Sequence, residues 1–274
     1  MKAYPIIHAR TFFSDFPTGL LVCPEVFGTN EVETSRKFIL NATKNIDCLS
    51  GIRRVLFSVG DYSVLGLVGF IKDIAENDKA AEKYSRDSFN RKLYAFIGYV
   101  VARKDLNGIY VPLIDPEEMI KLYISKMSND VVWKSETPTT FMSEAINNIP
   151  TKKVDFSNDK NDKMKKIYYS CSEEMNAELF EKCVMICKKD NRLSLCTNFC
   201  DPMFNYVFKV ISIKGDCIDD SSNKIADDEN NSDIDNATIS IGSAITAIAG
   251  VLAAISLIGS KIYSFIKKKW IYDP

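Results

Sequence analysis

Apolar positions in the first 150 residues follow two periods, and the chain divides where one gives way to the other. Short runs rich in branched and aromatic residues at 19–23, 53–59, 64–71 and 92–102 predict strands. Residues 31–44 repeat their apolar positions at three- and four-residue spacing and predict an amphipathic helix. Asp61 and Tyr62 mark a turn between two of the strands, and Gly66, Gly69 and Gly98 lie inside the two longest, where a bulge or close backbone approach is plausible. Pro112, Asp115 and Pro116 punctuate the chain before a helix at 117–127, whose first turn carries Glu117 and Glu118 as the helix dipole favours. The pattern predicts an α+β domain over residues 1–149, a small, mainly antiparallel sheet with flanking helices.

Beyond this domain the polarity shifts. Residues 150–166 are polar and poor in branched side chains, the composition of a linker or long loop. Residues 167–217 read as a Cys-rich, mainly helical subdomain: a helix over 172–188, a turn at Asp190, a short strand at 193–199 and a last helix beginning at Pro202 and running through Phe204, Val207, Phe208 and Ile211. The same segment also suits an extension of the first sheet. Residues 218–236, acidic and rich in Asn and Ser, predict a flexible tether.

The next run is uncharged from residue 237 to 258, which as a helix spans about 33 Å and matches the hydrocarbon core of a bilayer. A transmembrane helix is therefore expected over 237–259, followed by a basic aromatic tail at 260–274. Lys261, Lys267, Lys268, Lys269 and Trp270 suit an interfacial anchor. On that helix the isoleucines and leucines form one stripe, while Gly242, Ser243, Thr246, Ala247, Gly250, Ala253 and Ala254 form a small-residue face. Faces of this kind let backbones approach in lipid, which predicts a homo-oligomer through the C-terminal helix. A passive anchor and a helix lying in the interface are the other readings of the same residues. Positive-inside counting would keep the Lys-rich tail in the cytoplasm, yet residues 1–28 hold no signal-peptide pattern, so the N-terminal domain is placed in the cytoplasm at a membrane.

Composition narrows the function classes. A formal net charge of −1 over 274 residues, with short and scattered lysine runs, argues against a nucleic-acid partner. His8 is the only histidine, so histidine-rich metal sites are excluded, and no phosphate-cradling glycine loop or nucleophile elbow is present. No catalytic residue, cofactor or metal is assigned, and the chain is read as non-enzymatic. Cys183, Cys187, Cys196 and Cys200 form two pairs of equal spacing that suit two disulfides, a zinc cage or reduced buried thiols. A strand at 193–199 would prevent the four from converging. Asp61, Arg91 and Tyr94 are the candidate ligand or partner residues, with surface ion pairing the plain alternative for Arg91.

The run Asp87-Ser-Phe-Asn-Arg91-Lys-Leu-Tyr-Ala-Phe96-Ile-Gly98, with Gly69, Lys72, Asp73 and Trp133, resembles a D-x-x-G-R-x-x-x-F-x-G pattern of uncharacterised membrane-anchored proteins from bacterial conflict and anti-phage loci. Asn90 stands where that pattern has glycine; Asn tolerates the left-handed turn that glycine would adopt. The resemblance implies a cytoplasmic sensing or partner-binding domain joined to the bacterial inner membrane, and an antiviral defence effector that perturbs the bilayer. Two rival classes remain beside it: a tail-anchored viral or organellar structural protein with a disulfide-bonded Cys-rich segment, and an anchored enzyme of unrecognised type.

Overall fold

The structure is a computed structural model that describes residues 1–48, 51–76, 78–106, 110–153, 166–170, 172–187 and 190–214. The expected tether, membrane helix and tail, with every residue assigned to the helix-association face and the interfacial anchor, lie outside the described residues. Among the described residues no helix is long and apolar enough to cross a membrane.

In chain order the elements are β1 (Tyr4–Ala9), β2 (Val22–Pro24), α1 (Thr29–Ala42), β3 (Arg53–Val59), β4 (Tyr62–Phe70), α2 (Ile71–Ala75), α3 (Lys79–Glu82), β5 (Tyr94–Ala102), β6 (Tyr110–Pro112), α4 (Pro116–Met127), α5 (Asp130–Trp133), β7 (Phe141–Ser143), β8 (Thr151–Lys153), β9 (Ile167–Ser170), α6 (Glu173–Cys187), β10 (Leu195–Phe199) and β11 (Val210–Lys214). The mixed α+β class is as expected, but the sheet is not small. Among the described residues nine strands form it in the order β7-β2-β1-β5-β4-β3-β10-β11-β9, and β6 pairs with β8 separately. Its centre, from β2 through β10, is antiparallel, whereas β10, β11 and β9 run parallel and β7 adds parallel to β2.

The long apolar runs of β4 and β5 follow from burial on both faces of the sheet. One face carries Ile6, Val55, Phe57, Val64, Val68, Phe96 and Val100 against Ile39 and Ala42 of α1. The other carries Ile7, Leu56, Leu65, Leu67, Ile97 and Val101 against α2, α4 and α6, through residues such as Ile74, Tyr123 and Phe180. The result is three layers, helix on sheet on helices. Helix α4 begins where the sequence signals it: Asp115 accepts a hydrogen bond from the backbone N–H of Glu118 at 2.8 Å, and Pro116 occupies the first turn.

The expected last helix is replaced by a turn and a strand. Pro202–Phe204 forms one 3-10 turn, after which the side chain of Asn205 accepts from the backbone N–H of Phe208 at 2.9 Å and donates to the Phe208 carbonyl at 2.9 Å. Those bonds take backbone groups that a continuing helix would need, and β11 follows as a strand. Residues 167–214 thus supply one long helix and three strands of the same sheet that residues 1–149 begin, the extension of the first sheet rather than a mainly helical subdomain. The crossover β9-α6-β10 places β11 between its two strands.

Strand register defines two ends of this sheet. Arg53, Phe70, Tyr94, Ala9, Phe199, Lys214 and Ser170 lie at one end, while the β3–β4 hairpin turn at Gly60 and Asp61 lies at the other. Gly60 adopts a φ of +53°, a conformation that suits glycine in a two-residue turn.

Candidate functional site

The three residues singled out as ligand contacts do not converge. Asp61 caps the β3–β4 turn with its side chain 99% exposed, 3.4 Å from Nη2 of Arg103. Tyr94 opens β5 at the opposite end, eight positions from Ala102, or about 27 Å at strand rise. Its ring lies 5.2 Å from Phe16 and 6.2 Å from Phe70, and burial raises the pKa of its hydroxyl above the ordinary value. Arg91 sits near Tyr94 in sequence but turns back on Asp87, with Nε 2.6 Å from Oδ2. Asn90 takes the left-handed conformation, at a φ of +62°.

A cavity of about 300 Å³ opens at the carboxyl ends of the three parallel strands. Its lining includes Ile52, Asp73, Glu76, Ser170, Ser172, Glu173, Asn176, Asn198 and Lys214. Open parallel sheets commonly bind ligands beyond the carboxyl ends of their strands. Here the floor is built by a register shift in β10 that puts Asn198 at a φ of +53°. The backbone N–H of Asn198 donates to Ser212 Oγ at 2.9 Å, and Ser212 Oγ donates to Asn176 Oδ1 at 2.6 Å. Asn176 is 6% exposed; with its oxygen engaged by Ser212, its amide N–H groups are left for an occupant of the cavity.

The back wall is fixed by Arg54, whose Nε donates to Glu173 Oε1 at 2.8 Å and whose Nη1 reaches the carbonyl of Ile114. Burial pushes the Glu173 carboxyl above the usual carboxylate range, against the pull of the Arg54 charge. Asp73, Glu76, Glu173 and Lys214 give the lining a mainly acidic character, while the Ser170 hydroxyl donates to the Ser172 carbonyl and Asn198 Nδ2 to the Ile52 carbonyl at its edge. Such a site can orient a small polar molecule. The sequence held one sign of it, the Ser172-Glu173-Glu174 start of a helix directly after a short strand; the partner strands could not be placed without the fold.

Cysteines divide across the sheet. Cys183 and Cys187 on α6 belong to one face and Cys196 on β10 to the other, so no cage of four thiols forms. These three are free and buried, and Cys200 is free and exposed. Burial raises the thiol pKa of Cys183 and of Cys196 to about 12, which makes them inert packing groups at neutral pH. Among the described residues no group of three His, Cys, Asp or Glu side chains is placed to hold a metal ion.

His8 is also structural. Its ring stacks on Phe16 at 4.8 Å, it hydrogen bonds the backbone of Gly19, and burial lowers its pKa to about 4. No protein-family profile, curated protein or solved structure matches this chain.

Proposed function

We propose that the chain is a non-enzymatic, membrane-associated sensing protein. Its α+β unit receives a small polar ligand in the strand-end cavity, and its C-terminal segment anchors in and acts on the bilayer. The observation that carries this reading is the position of Lys214. It lines the cavity and ends β11, the last described strand, 23 positions before the uncharged run at 237–258. An occupant that bonds Asn176 or Glu173 thereby acts beside the last described strand before the segment read as a tether.

The mechanism in this proposal is clustering. Ligand or partner engagement gathers several chains, and the small faces of Gly242, Ser243, Thr246, Ala247, Gly250, Ala253 and Ala254 associate to make the membrane leaky, the action of a defence effector at a bacterial inner membrane. The free state of Cys183, Cys187, Cys196 and Cys200 favours this over a structural protein stapled by disulfides.

The test is membrane potential in a bacterial host expressing the full chain, the chain truncated after Asp235, and a Gly250→Leu, Ala254→Leu variant. Depolarisation by the full chain alone supports the reading. Full insertion with no loss of potential reduces the segment to a passive anchor and removes the effector role.

A further inference from the structure

Two loops stand side by side at the end of the sheet from which the chain departs. Residues 10–16 follow β1, residues 86–92 precede β5, and the backbone N–H of Ser88 donates to the carbonyl of Phe12 at 2.9 Å. The second loop is held rigidly from within. Asp87 is buried, and its Oδ1 accepts from the backbone N–H groups of Phe89 at 3.0 Å and Arg91 at 2.9 Å, while Oδ2 accepts from Arg91 Nε at 2.6 Å. This fixed tip presents Phe89 to solvent at 75% exposure, with Phe13 on the neighbouring loop at 50%.

A rigid loop that exposes a phenylalanine gives away the benefit of burying about 150 Å² or more of apolar surface, so a covered state of the tip is favoured. The surroundings define the cover. Arg86, Arg91 and Lys92 lie within the same seven residues, against the single carboxylate of Asp87 that Arg91 already neutralises. The Arg91 guanidinium lies 5.3 Å from the Phe89 ring. Aromatic tips collared by long basic side chains fit the headgroup layer of an anionic bilayer, with the ring in the interface and the cations on lipid phosphates.

We infer that this corner of the fold docks on an anionic lipid surface through Phe89 and Phe13, with Arg86, Arg91 and Lys92 on the phosphates. The choice of a bilayer over a protein partner rests on the proposed membrane insertion of residues 237–258. Lys214 is at the same end of the sheet, and only 23 positions separate it from Ala237. Even fully extended, 23 positions span no more than about 80 Å, which tethers this end to a bilayer that holds residues 237–258. Asp73 and Glu76 lie at the same end around the cavity, so contact is confined to the corner formed by the two loops.

The full chain is tested on phosphatidylcholine vesicles with and without phosphatidylglycerol, using bromine-labelled lipids that quench tryptophan on contact. Native Trp270 reports insertion of the tail. Phe89→Trp in a Trp270→Phe background reports docking, with buried Trp133 as the constant signal. The expected result is quenching of both reporters on anionic vesicles, with the Phe89→Trp signal falling roughly twofold on contact and recovering when Arg86→Gln and Lys92→Gln are added. Quenching of Trp270 with none at Phe89→Trp overturns the docking inference and spares the anchor. Quenching at Phe89→Trp with none at Trp270 supports docking and overturns the anchor. Equal quenching on vesicles lacking phosphatidylglycerol overturns the anionic preference, and quenching of neither reporter overturns both readings.

Discussion

Gly66 and Gly98 face each other across β4 and β5, in a row that continues to Ile6 on β1 and Val55 on β3. A methyl on Gly98 would meet the carbonyl of Leu65 well inside van der Waals contact and lie 2.9 Å from the Gly66 Cα. A methyl on Gly66 would meet the Ile97 carbonyl and the end of the Phe96 ring, the latter at 2.8 Å. The ring of Phe96 fills the hollow that the glycine pair leaves. Gly98→Ala is expected to destabilise the fold by about 1–3 kcal/mol, because the clash is with backbone that neighbouring strands hold on both sides. Urea unfolding of the variant measures it; an unchanged midpoint would show that the central strands can separate freely.

Arg53 shows no exposed surface, and among the described residues its hydrogen bonds go to carbonyls and a thiol rather than to a carboxylate. Its Nη1 donates to the carbonyls of Ala42 and of Lys44, the latter at 2.7 Å, its Nε to the carbonyl of Asn198 at 3.2 Å, and its Nη2 to Cys200 Sγ at 3.1 Å. The carbonyls at the end of α1 are the negative pole of that helix, so the cation joins α1, β3 and the end of β10. Arg53→Met leaves those acceptors buried without donors and is expected to cost about 3–5 kcal/mol. Arg53→Lys should recover little, since one compact ammonium with three donors cannot reach the four separate acceptors that the planar guanidinium spans. Near-native stability of the lysine variant in urea would show that charge alone suffices.

Ser212 joins the floor of the cavity to the last strand. Its hydroxyl accepts from Asn198 N–H and donates to Asn176, so Ser212→Ala removes both partners of a buried network. The expected loss is about 1–3 kcal/mol, with faster hydrogen exchange at Asn198 and Asn176. Exchange rates equal to those of the native chain would mean that the cavity floor is held by other contacts.

The central strands were legible because their apolar runs announced themselves: 53–59 matches β3 residue for residue, and α1, α4 and α6 lie within two residues of their expected bounds. β1 carries no such local signal, because Tyr4–Ala9 is interrupted by Pro5 and His8 and its strand character comes from pairing with β5. Phe204, Val207, Phe208 and Ile211 mimic helical spacing by coincidence, and only the Asn205 bonds to Phe208 show why the chain turns there. The cavity was illegible for a related reason. Its residues come from six separate segments, and the parallel pairing of β9, β10 and β11 that gathers them is not written in any local pattern.

His8 makes the fold sensitive to mild acid. In the unfolded chain the imidazole titrates near its ordinary value of 6.5, whereas in the fold burial, with the Arg36 charge assisting, lowers it to about 4 despite the bond to Gly19. Between those values the unfolded chain binds a proton that the folded chain refuses, so stability is full above pH 6.5 and declines as the pH falls toward 4. The contribution lost over that window is about 3 kcal/mol. His8→Gln cannot titrate and should flatten this part of the profile, even if it lowers stability at pH 7 by loosening the contact with Phe16. Unfolding free energies of both proteins from pH 7 to pH 4 give the comparison. A slope that persists unchanged in the His8→Gln chain would assign the acid sensitivity to carboxylates instead.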